Sequence, residues 1–542
     1  MKQNIFYILF FLFNVLAYSQ TNEAAKIDIL FKHWNTLITP GCAVGIIKDN
    51  KVAFTKCYGM ANLDNNIPIN NNTKFITASL TKQFTAYCIA ILISQGKLSL
   101  EDDIRTYLPE FPYSKDTLRI KHLIYHTNGL HDYSVLMSVC GDSYDDLNYE
   151  QMVKEKVYSI SVSKFKPGDK FEYSNSGYYL LSEIIEHVSQ LRIDEFARKY
   201  IFNPLGMNDT YFYTNPRAKS SNMAVSYTQN IFGDYQKQYS TTPPFGSGNL
   251  ISTLHDLLLW EQNFYDNKLS KNKLNDLILK QGVLNKGDTI DYCFGLKIGR
   301  HKELKIIYHF GDYNSFESNI IRVPKHKLSV IILANDKLAK TYFDNYSLAH
   351  KIIDIFLDQS SNPKIPENRF KPFSSEESIK KYIGVYKSKN GITSISYDEG
   401  QLKLSHSWGD WYYSIIPTSD SVFCDEYDFE YAYKFKLNDN KDVMGLWTQH
   451  TGYMEKINAD SVLKLSNDYS GAYYSKELNT VYKLYREKGK IYCKINSKAS
   501  KELIITGRDT FRLNKNVIKV VRNDSNIINR IEVNNEFVFN KL

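Results

Sequence analysis

The alternation of apolar and polar positions changes period several times along the chain, and each change marks a predicted element. In "CAVGIIKDNKVAFTKCY", Cys42 to Tyr58, apolar residues repeat with a period of two on either side of Asp49-Asn50, which predicts two strands joined by a tight turn. Phe84, Ala86, Ile89, Ala90, Leu92 and Ile93 then recur at helical spacing, and Gly96 stands where a C-terminal cap would end the run. Further helices are predicted at Ile120 to Tyr125, Tyr178 to Leu191 and Leu254 to Phe264. Strands return in "FGLKIGR", "LKIIYHFG", "ESNIIRVP" and "LSVIILAN", and "YSLAHKIIDIFL" reads as a helix. An early hairpin, a helix-rich middle and late antiparallel strands predict an α+β body whose two ends share one sheet.

Asp358 to Ser378 is rich in Ser, Pro and Asn and has no apolar period, which predicts a linker. Beyond it, short alternating segments such as "ITSISYDEGQLKLSHS" predict antiparallel strands. They carry an internal repeat: Tyr382, Gly384, Tyr386 and Ser388 recur as Tyr469, Gly471, Tyr473 and Ser475. "EGQLKL" answers "KGKIYCKI", and "DSVFC" answers "RDTFRL", so two tandem β-units are expected. The expected domains are an N-terminal signal over 1–19, a body over 20–358, a linker over 359–377 and β-domains over 378–460 and 461–542.

Composition narrows this picture. A 542-residue chain with 43% hydrophobic and 23% charged residues is folded, not disordered, and its length suggests two to four domains at about 150 residues each. The 67 Lys and Arg exceed the 59 Asp and Glu without forming basic runs, which argues against a nucleic-acid partner. The start "MKQNIFYILFFLFNVLAYSQ" has one Lys, an apolar run from Ile5 to Ala17 and small residues at Ala17 and Ser19, the pattern of a cleaved export signal. That run is shorter than the roughly 20 residues of a membrane span, so a secreted or periplasmic protein with no stable span after cleavage is expected; an uncleaved anchor is the competing reading. Seven scattered cysteines form neither a disulfide framework nor a Cys-x-x-Cys zinc pattern. The hairpin register places Cys42 opposite Cys57, leaving a cross-strand disulfide open beside the favoured reading of two buried thiols.

The candidate chemistry begins at Ser79-Leu80-Thr81-Lys82. The tetrapeptide alone carries little, because Ser-x-x-Lys recurs at Ser94, Ser161, Ser270 and Ser378. Its position adds more: at a helix start, residues three apart share a face, so Lys82 could place its amine beside the Ser79 hydroxyl, with free backbone N–H groups close by. The same arrangement with an exposed lysine would be an ordinary cap. Two further constellations follow: Tyr173-Ser174-Asn175, where a phenol and an amide on a loop can both face a cleft, and His309-Phe310-Gly311 on a predicted strand. A glycine there lets a substrate backbone approach closely, and the histidine can serve as a proton or hydrogen-bond donor.

Ser79-x-x-Lys82, Tyr173-x-Asn175 and His309-x-Gly311, in this order, resemble the three motifs of the serine β-lactamase and penicillin-binding-protein superfamily, in the branch of class C β-lactamases, DD-carboxypeptidases, D-aminopeptidases and related esterases. "GKLSLEDDIRTYLPEF", "LRIKHLIYHTNGLHDY", "NPLGM" and "GSGNLISTLHDLLLW" are similar to family segments, and the likeness spans roughly Asp28 to Leu357. The resemblance implies a β-lactamase/DD-peptidase fold: an antiparallel sheet flanked by helices plus a helical region. The repeats resemble small lipocalin-like barrels appended to some relatives, which would limit the cleft, bind cell-wall material or stabilise the enzyme.

By the same resemblance Ser79 would be the acylated nucleophile, Lys82 or Tyr173 its base, and Asn175 the residue that positions a substrate amide. His309 would replace the usual third-motif lysine, and the N–H groups of Ser79 and Asp312 would form the oxyanion hole. Loss of the lysine cation disfavours β-lactam hydrolysis, and Asp312 would disfavour anionic substrates if it faces the cleft but be inert if it points outward. The resemblance implies neither metal nor cofactor, and His122, His126 and His131 match no metal spacing. The expected function is an exported serine hydrolase acting through an acyl-enzyme on D-amino-acid peptides, small esters or cell-wall fragments, with oligomeric state open. A β-lactamase is the alternative within chemistry, and a non-catalytic penicillin-binding-like receptor or scaffold the alternative outside it.

Overall fold

The computed structural model describes residues 22–112, 116–142, 149–159, 163–214, 221–238, 245–269, 274–337, 345–357, 370–389, 391–398, 400–406, 412–425, 431–458, 469–488, 490–507 and 509–542. The expected signal over 1–19 and the linker as far as residue 369 lie outside the described residues. The chain forms two compact units, one of Met1–Leu130, Ser163–Thr228 and Lys237–Glu367, the other of His131–Val162, Gln229–Gln236 and Asn368–Leu542.

The first unit is built on a six-stranded antiparallel sheet. Strands β1 (Cys42–Lys48) and β2 (Lys51–Tyr58) form the predicted hairpin, turning on Asp49 and Asn50 with φ of 49° and 63°, the left-handed pair that a two-residue turn requires. Four later strands, β3 (Lys297–His301), β4 (Leu304–Tyr313), β5 (Phe316–Val323) and β6 (Leu328–Ala334), complete the sheet in the order β3-β4-β5-β6-β1-β2. The two ends of the unit thus share a sheet, as the sequence pattern suggests. The hairpin register differs from the expected one. A bulge between Ile46 and Ile47 adds one residue to β2, so Cys42 faces Tyr58 and Ala43 faces Cys57. The slip sends Cys57 to the other face of the sheet from Cys42, and all seven cysteines are free.

One sheet face packs Val44, Ile46, Ile321, Val330 and Ile332 against Leu348, Ile352 and Ile355 of a C-terminal helix, Asn345–Leu357, and against Ile27, Leu30 and Phe31. On the other face, helix Leu254–Asp266 approaches closely at Gly45, where a Cβ would lie 2.7 Å from Leu254 Cδ1. The helix predicted from Phe84 onward is α1, Thr81–Ser94, and it is buried on all sides from Thr81 to Leu92 instead of along one stripe, because it runs through the middle of the unit. Its Gln83 accepts hydrogen bonds from Trp260 Nε1 at 2.8 Å and from Arg322 Nη2 at 2.9 Å. Arg322 also pairs with Glu261 inside the core, Nε to Oε2 at 2.8 Å.

In the second unit, eight strands from Gly384–Ser388 to Gly452–Ile457 pair in sequence order, and the last returns to the first, closing a barrel. Nine strands from Gly471–Ser475 to Phe537–Lys541 form a second antiparallel sheet, in which the first and last strands also pair. The sequence repeat has a physical counterpart: Tyr386 OH donates to Tyr382 O at 2.6 Å, and Tyr473 OH donates to Tyr469 O at 3.1 Å. Each barrel therefore opens with the same tyrosine hook. Leu136, Val139 and Cys140 of helix Tyr133–Cys140 lie in the core of the second barrel with Tyr473, Tyr482 and Phe539.

Candidate active site

A short 3-10 turn, Ala78–Leu80, leads directly into α1. Ala78 holds φ at 46°, a left-handed conformation costly for a residue with a side chain and tolerated only where the surroundings enforce it. Ser79 follows, partly exposed between the buried Ala78 and Leu80. Strand β4 supplies the constraint. A Cβ on Gly311 would stand 2.3 Å from Thr77 O and 2.7 Å from Ser79 N, so only glycine lets the strand lie this close to the turn. Ser318 Oγ on the neighbouring strand β5 fixes the same turn by donating to Thr77 O at 2.6 Å.

Lys82 lies one helical turn on, fully buried. Its Nζ is 3.1 Å from Ser79 Oγ, 2.9 Å from Asn175 Oδ1 and 2.8 Å from Ser247 O. The last two partners only accept, so two amine protons are committed to them and the third tetrahedral position points at Ser79. In the ammonium that position is an N–H; in the neutral amine it is a lone pair able to take the serine proton. Ser247 is held by the turn at Gly246, which has φ of 66° and whose carbonyl accepts from Thr85 Oγ1 of α1 at 2.7 Å.

Tyr173-Ser174-Asn175 opens a helix, Asn175–Ser189, three residues earlier than the apolar pattern indicates. Ser174 is its N-cap and accepts from Gly177 N–H at 3.2 Å, so Asn175 is the first helical residue and not part of a loop. The Tyr173 ring centroid is 4.8 Å from Lys82 Nζ. His126 brackets this tyrosine: its carbonyl accepts from Glu172 N–H at 2.8 Å, its Nδ1 accepts from Ser174 N–H at 3.1 Å, and its ring packs on Tyr173 at 4.3 Å. Burial and the nearby Lys82 hold the His126 imidazole well below its usual pKa, so it is neutral. The three clustered histidines of the sequence thus separate. His122 accepts from Arg119 N–H at a helix start and His131 meets Glu536 in the second unit; among the described residues no His, Cys, Asp and Glu group is placed to hold a metal.

His309 is 1% exposed, and burial with the neighbouring Lys82 charge depresses its pKa to about 3. Nδ1 lies 2.7 Å from Phe310 O, which can only accept, so the neutral ring carries its proton there and Nε2 accepts from Tyr292 OH at 3.3 Å. In this tautomer both ring nitrogens are engaged within the protein. Asp312 alternates to the side of Phe310, opposite His309 and Gly311, is exposed and faces Lys337 Nζ at 3.6 Å. The structure therefore brings together Ser79, Lys82, Tyr173, Asn175, His309 and Gly311. Sequence reasoning missed Ser247, Tyr292 and the bracketing role of His126. The "GSG" and "HTNG" segments signal turns but not what the turns hold.

The chain resembles known proteins over the first unit and beyond. Residues 31–351 match the model of the Beta-lactamase family. The chain is 27% identical over 387 residues to penicillin-binding protein 4* of Bacillus subtilis, covering 69% of this chain and 85% of that protein. It is 24% identical over 296 residues to a D-aminopeptidase of Gluconobacter oxydans, covering 55% of this chain and 56% of that enzyme. Among solved structures, an octameric penicillin-binding protein homologue from Pyrococcus abyssi superposes with a TM-score of 0.53 at 20% identity, over 88% of this chain and 98% of that one.

Proposed function

The chain belongs to the Beta-lactamase family as a serine hydrolase, and from that premise we propose that Ser79 is its nucleophile and that it works through an acyl-enzyme on D-amino-acid peptides or small esters. The observation that carries this reading is the buried Lys82 amine 3.1 Å from Ser79 Oγ, with its other protons committed to Asn175 and Ser247. Ser79 Oγ attacks the substrate carbonyl while its proton passes to Lys82. Tyr173, packed against the same amine, relays a proton to the departing nitrogen or oxygen, and water then releases the acyl group. The backbone N–H groups of Ser79 and Asp312 hold the developing oxyanion, and Asn175, whose Oδ1 faces Lys82, turns its NH2 toward a substrate carbonyl. His309 lines the cleft as a neutral ring. Curated relatives include a penicillin-binding protein and a D-aminopeptidase, which supports peptides built from D-amino acids as the substrate class. The apolar N-terminal run supports export, and no helix among the described residues is long and apolar enough to cross a membrane.

The test is labelling of the purified protein by a fluorophosphonate and a fluorescent penicillin. Both labels should vanish in Ser79→Ala. A label that persists removes Ser79 from the mechanism, and an unlabelled wild-type protein favours a non-catalytic receptor. Turnover of a D-alanine anilide, a short p-nitrophenyl ester and a chromogenic cephalosporin ranks the substrates; comparable rates on the cephalosporin would make it a β-lactamase.

A further inference from the structure

The inward-facing residues of the first barrel change character along its axis. On strand Gln401–His406 they run Leu402, Leu404, His406. On the neighbouring strands, toward the same end, Ile395 gives way to Thr393, Ile415 to Tyr413, Phe423 to Asp425, and Phe435 to Tyr433 and Tyr431. The other end is closed by apolar packing: Ile231, Ile379 and Tyr382 join the core there, and Tyr382 OH donates to Asp420 O at 2.6 Å. The fold does not require polar residues at the first end, as the tandem copy shows. Aligned on Gly400 and Gly489, His406 answers Ile495; aligned on Phe423 and Phe511, Asp425 answers Leu513. Ile495 and Leu513 lie in the apolar core of the second barrel. Tyr482, in the register position of Thr393, donates there to Val139 O at 2.7 Å, so helix Tyr133–Cys140 fills that end.

In the first barrel the polar groups form one cluster. Tyr433 OH donates to Asp425 Oδ2 at 3.0 Å. The Tyr431 ring lies 5.1 Å from that of Tyr433 and 5.0 Å from that of His450, and His406 Nδ1 is 2.7 Å from Thr393 Oγ1. Asp425 and Tyr433 are buried, Tyr413, Tyr431 and His406 are partly exposed and His450 is exposed, which gives the cluster a buried floor and an open rim. Burial and the neighbouring His450 hold the His406 pKa down to about 4, so its ring is neutral. Burial, and after it the Asp425 carboxylate, push the phenols of Tyr413 and Tyr433 up, so both keep their protons. We propose that this end of the first barrel binds a small organic ammonium, held between the Asp425 carboxylate and the ring faces of Tyr413, Tyr431 and Tyr433. Aromatic faces around a carboxylate attract such a cation through both ring quadrupole and charge, and the mouth of a barrel is a common place for a ligand. An anion would meet Asp425, and among the described residues no group of three His, Cys, Asp or Glu is placed to hold a metal. The site does not rest on Ser79 being the nucleophile.

The test is calorimetric titration of the full chain with choline, with ethanolamine and with dimethylbutanol, the uncharged carbon isostere of choline. At least one of the two ammonium probes should bind about tenfold or more tightly than the isostere, the scale of a desolvated cation against aromatic faces. Asp425→Asn and Tyr431→Leu should each remove most of that preference. Trp447→Leu, which deletes an exposed ring on the outer face of the same barrel, should retain it. Asp425 is buried, so if Asp425→Asn melts below wild type, the partly exposed Tyr431 supplies the deciding variant. Equal affinity for the ammonium probes and the isostere, or no binding of either ammonium by wild type, overturns the site. A preference that survives in a folded Tyr431→Leu, or that is lost in Trp447→Leu, overturns it as well.

Discussion

At the scale of single residues, burial is what separates one Ser-x-x-Lys from the others. Lys82 is completely buried, whereas Lys97, three residues after Ser94, is exposed and Lys381, three after Ser378, is partly so. An exposed lysine three residues from a serine is solvated and at most a cap. An enclosed one must place its protons on protein acceptors, and here those acceptors direct the remaining position at Ser79. Gly311 matters for an equally local reason. Gly311→Ala would bring a methyl group to 2.3 Å from Thr77 O and 2.7 Å from Ser79 N. The strand would then have to retreat from the turn, carrying the proposed Asp312 donor away from the oxyanion. The rate of fluorophosphonate labelling is expected to fall about 100-fold, as for loss of one oxyanion donor. A wild-type rate in Gly311→Ala would mean that β4 does not set the geometry of Ser79.

At the scale of elements, α1, the helix Leu254–Asp266 and β5 meet in a polar knot inside an otherwise apolar unit. Arg322 of β5 is 1% exposed and Glu261 is fully buried; Gln83 of α1, one residue after Lys82, accepts from the same guanidinium. Breaking a buried pair by neutralising one member leaves the other charge without compensation, at a cost of about 3–5 kcal/mol. Glu261→Gln should therefore lower the melting temperature by several degrees, and because Gln83 ties the pair to α1, labelling of Ser79 should slow as well. A melting temperature equal to wild type would show that the pair adds nothing beyond packing. The helix Asn175–Ser189 is legible in part: its apolar spacing is plain from Tyr178, but its start depends on the Ser174 cap, whose N–H is held by His126 from 48 residues earlier.

At the scale of the whole chain, the boundary drawn from composition and the boundary drawn from contacts follow different physics. The Ser- and Pro-rich stretch after Asp358 reads as the joint between two halves of the sequence, yet the second unit also takes His131–Val162 and Gln229–Gln236 from within the earlier half. Helix Tyr133–Cys140 buries Leu136, Val139 and Cys140 among residues of the second barrel, and Tyr482 OH donates to Val139 O at 2.7 Å. Truncation before Asn368 would leave that apolar face without a partner. The shortened protein should bind a hydrophobic dye and elute as aggregate in size-exclusion chromatography. A monodisperse product that labels at the wild-type rate would show that the early sequence forms an independent enzyme.

By itself the sequence determined whatever depends on neighbours along the chain: the Asp49-Asn50 turn, the approximate extents of α1 and the sheet strands, the tandem β-units with their repeated tyrosines, and the ordered motifs at Ser79, Tyr173 and His309. Periodicity and short motifs record such contacts because one element, or one turn, contains all the participants. Tertiary structure alone decided the rest. The extra residue at the β-bulge separates Cys42 from Cys57, the carbonyl that completes the environment of Lys82 comes from Ser247, 165 residues away, and the tautomer of His309 is set by Phe310 and Tyr292. No local pattern encodes these outcomes, since each depends on which distant groups the closed sheet and the buried α1 bring within hydrogen-bonding distance.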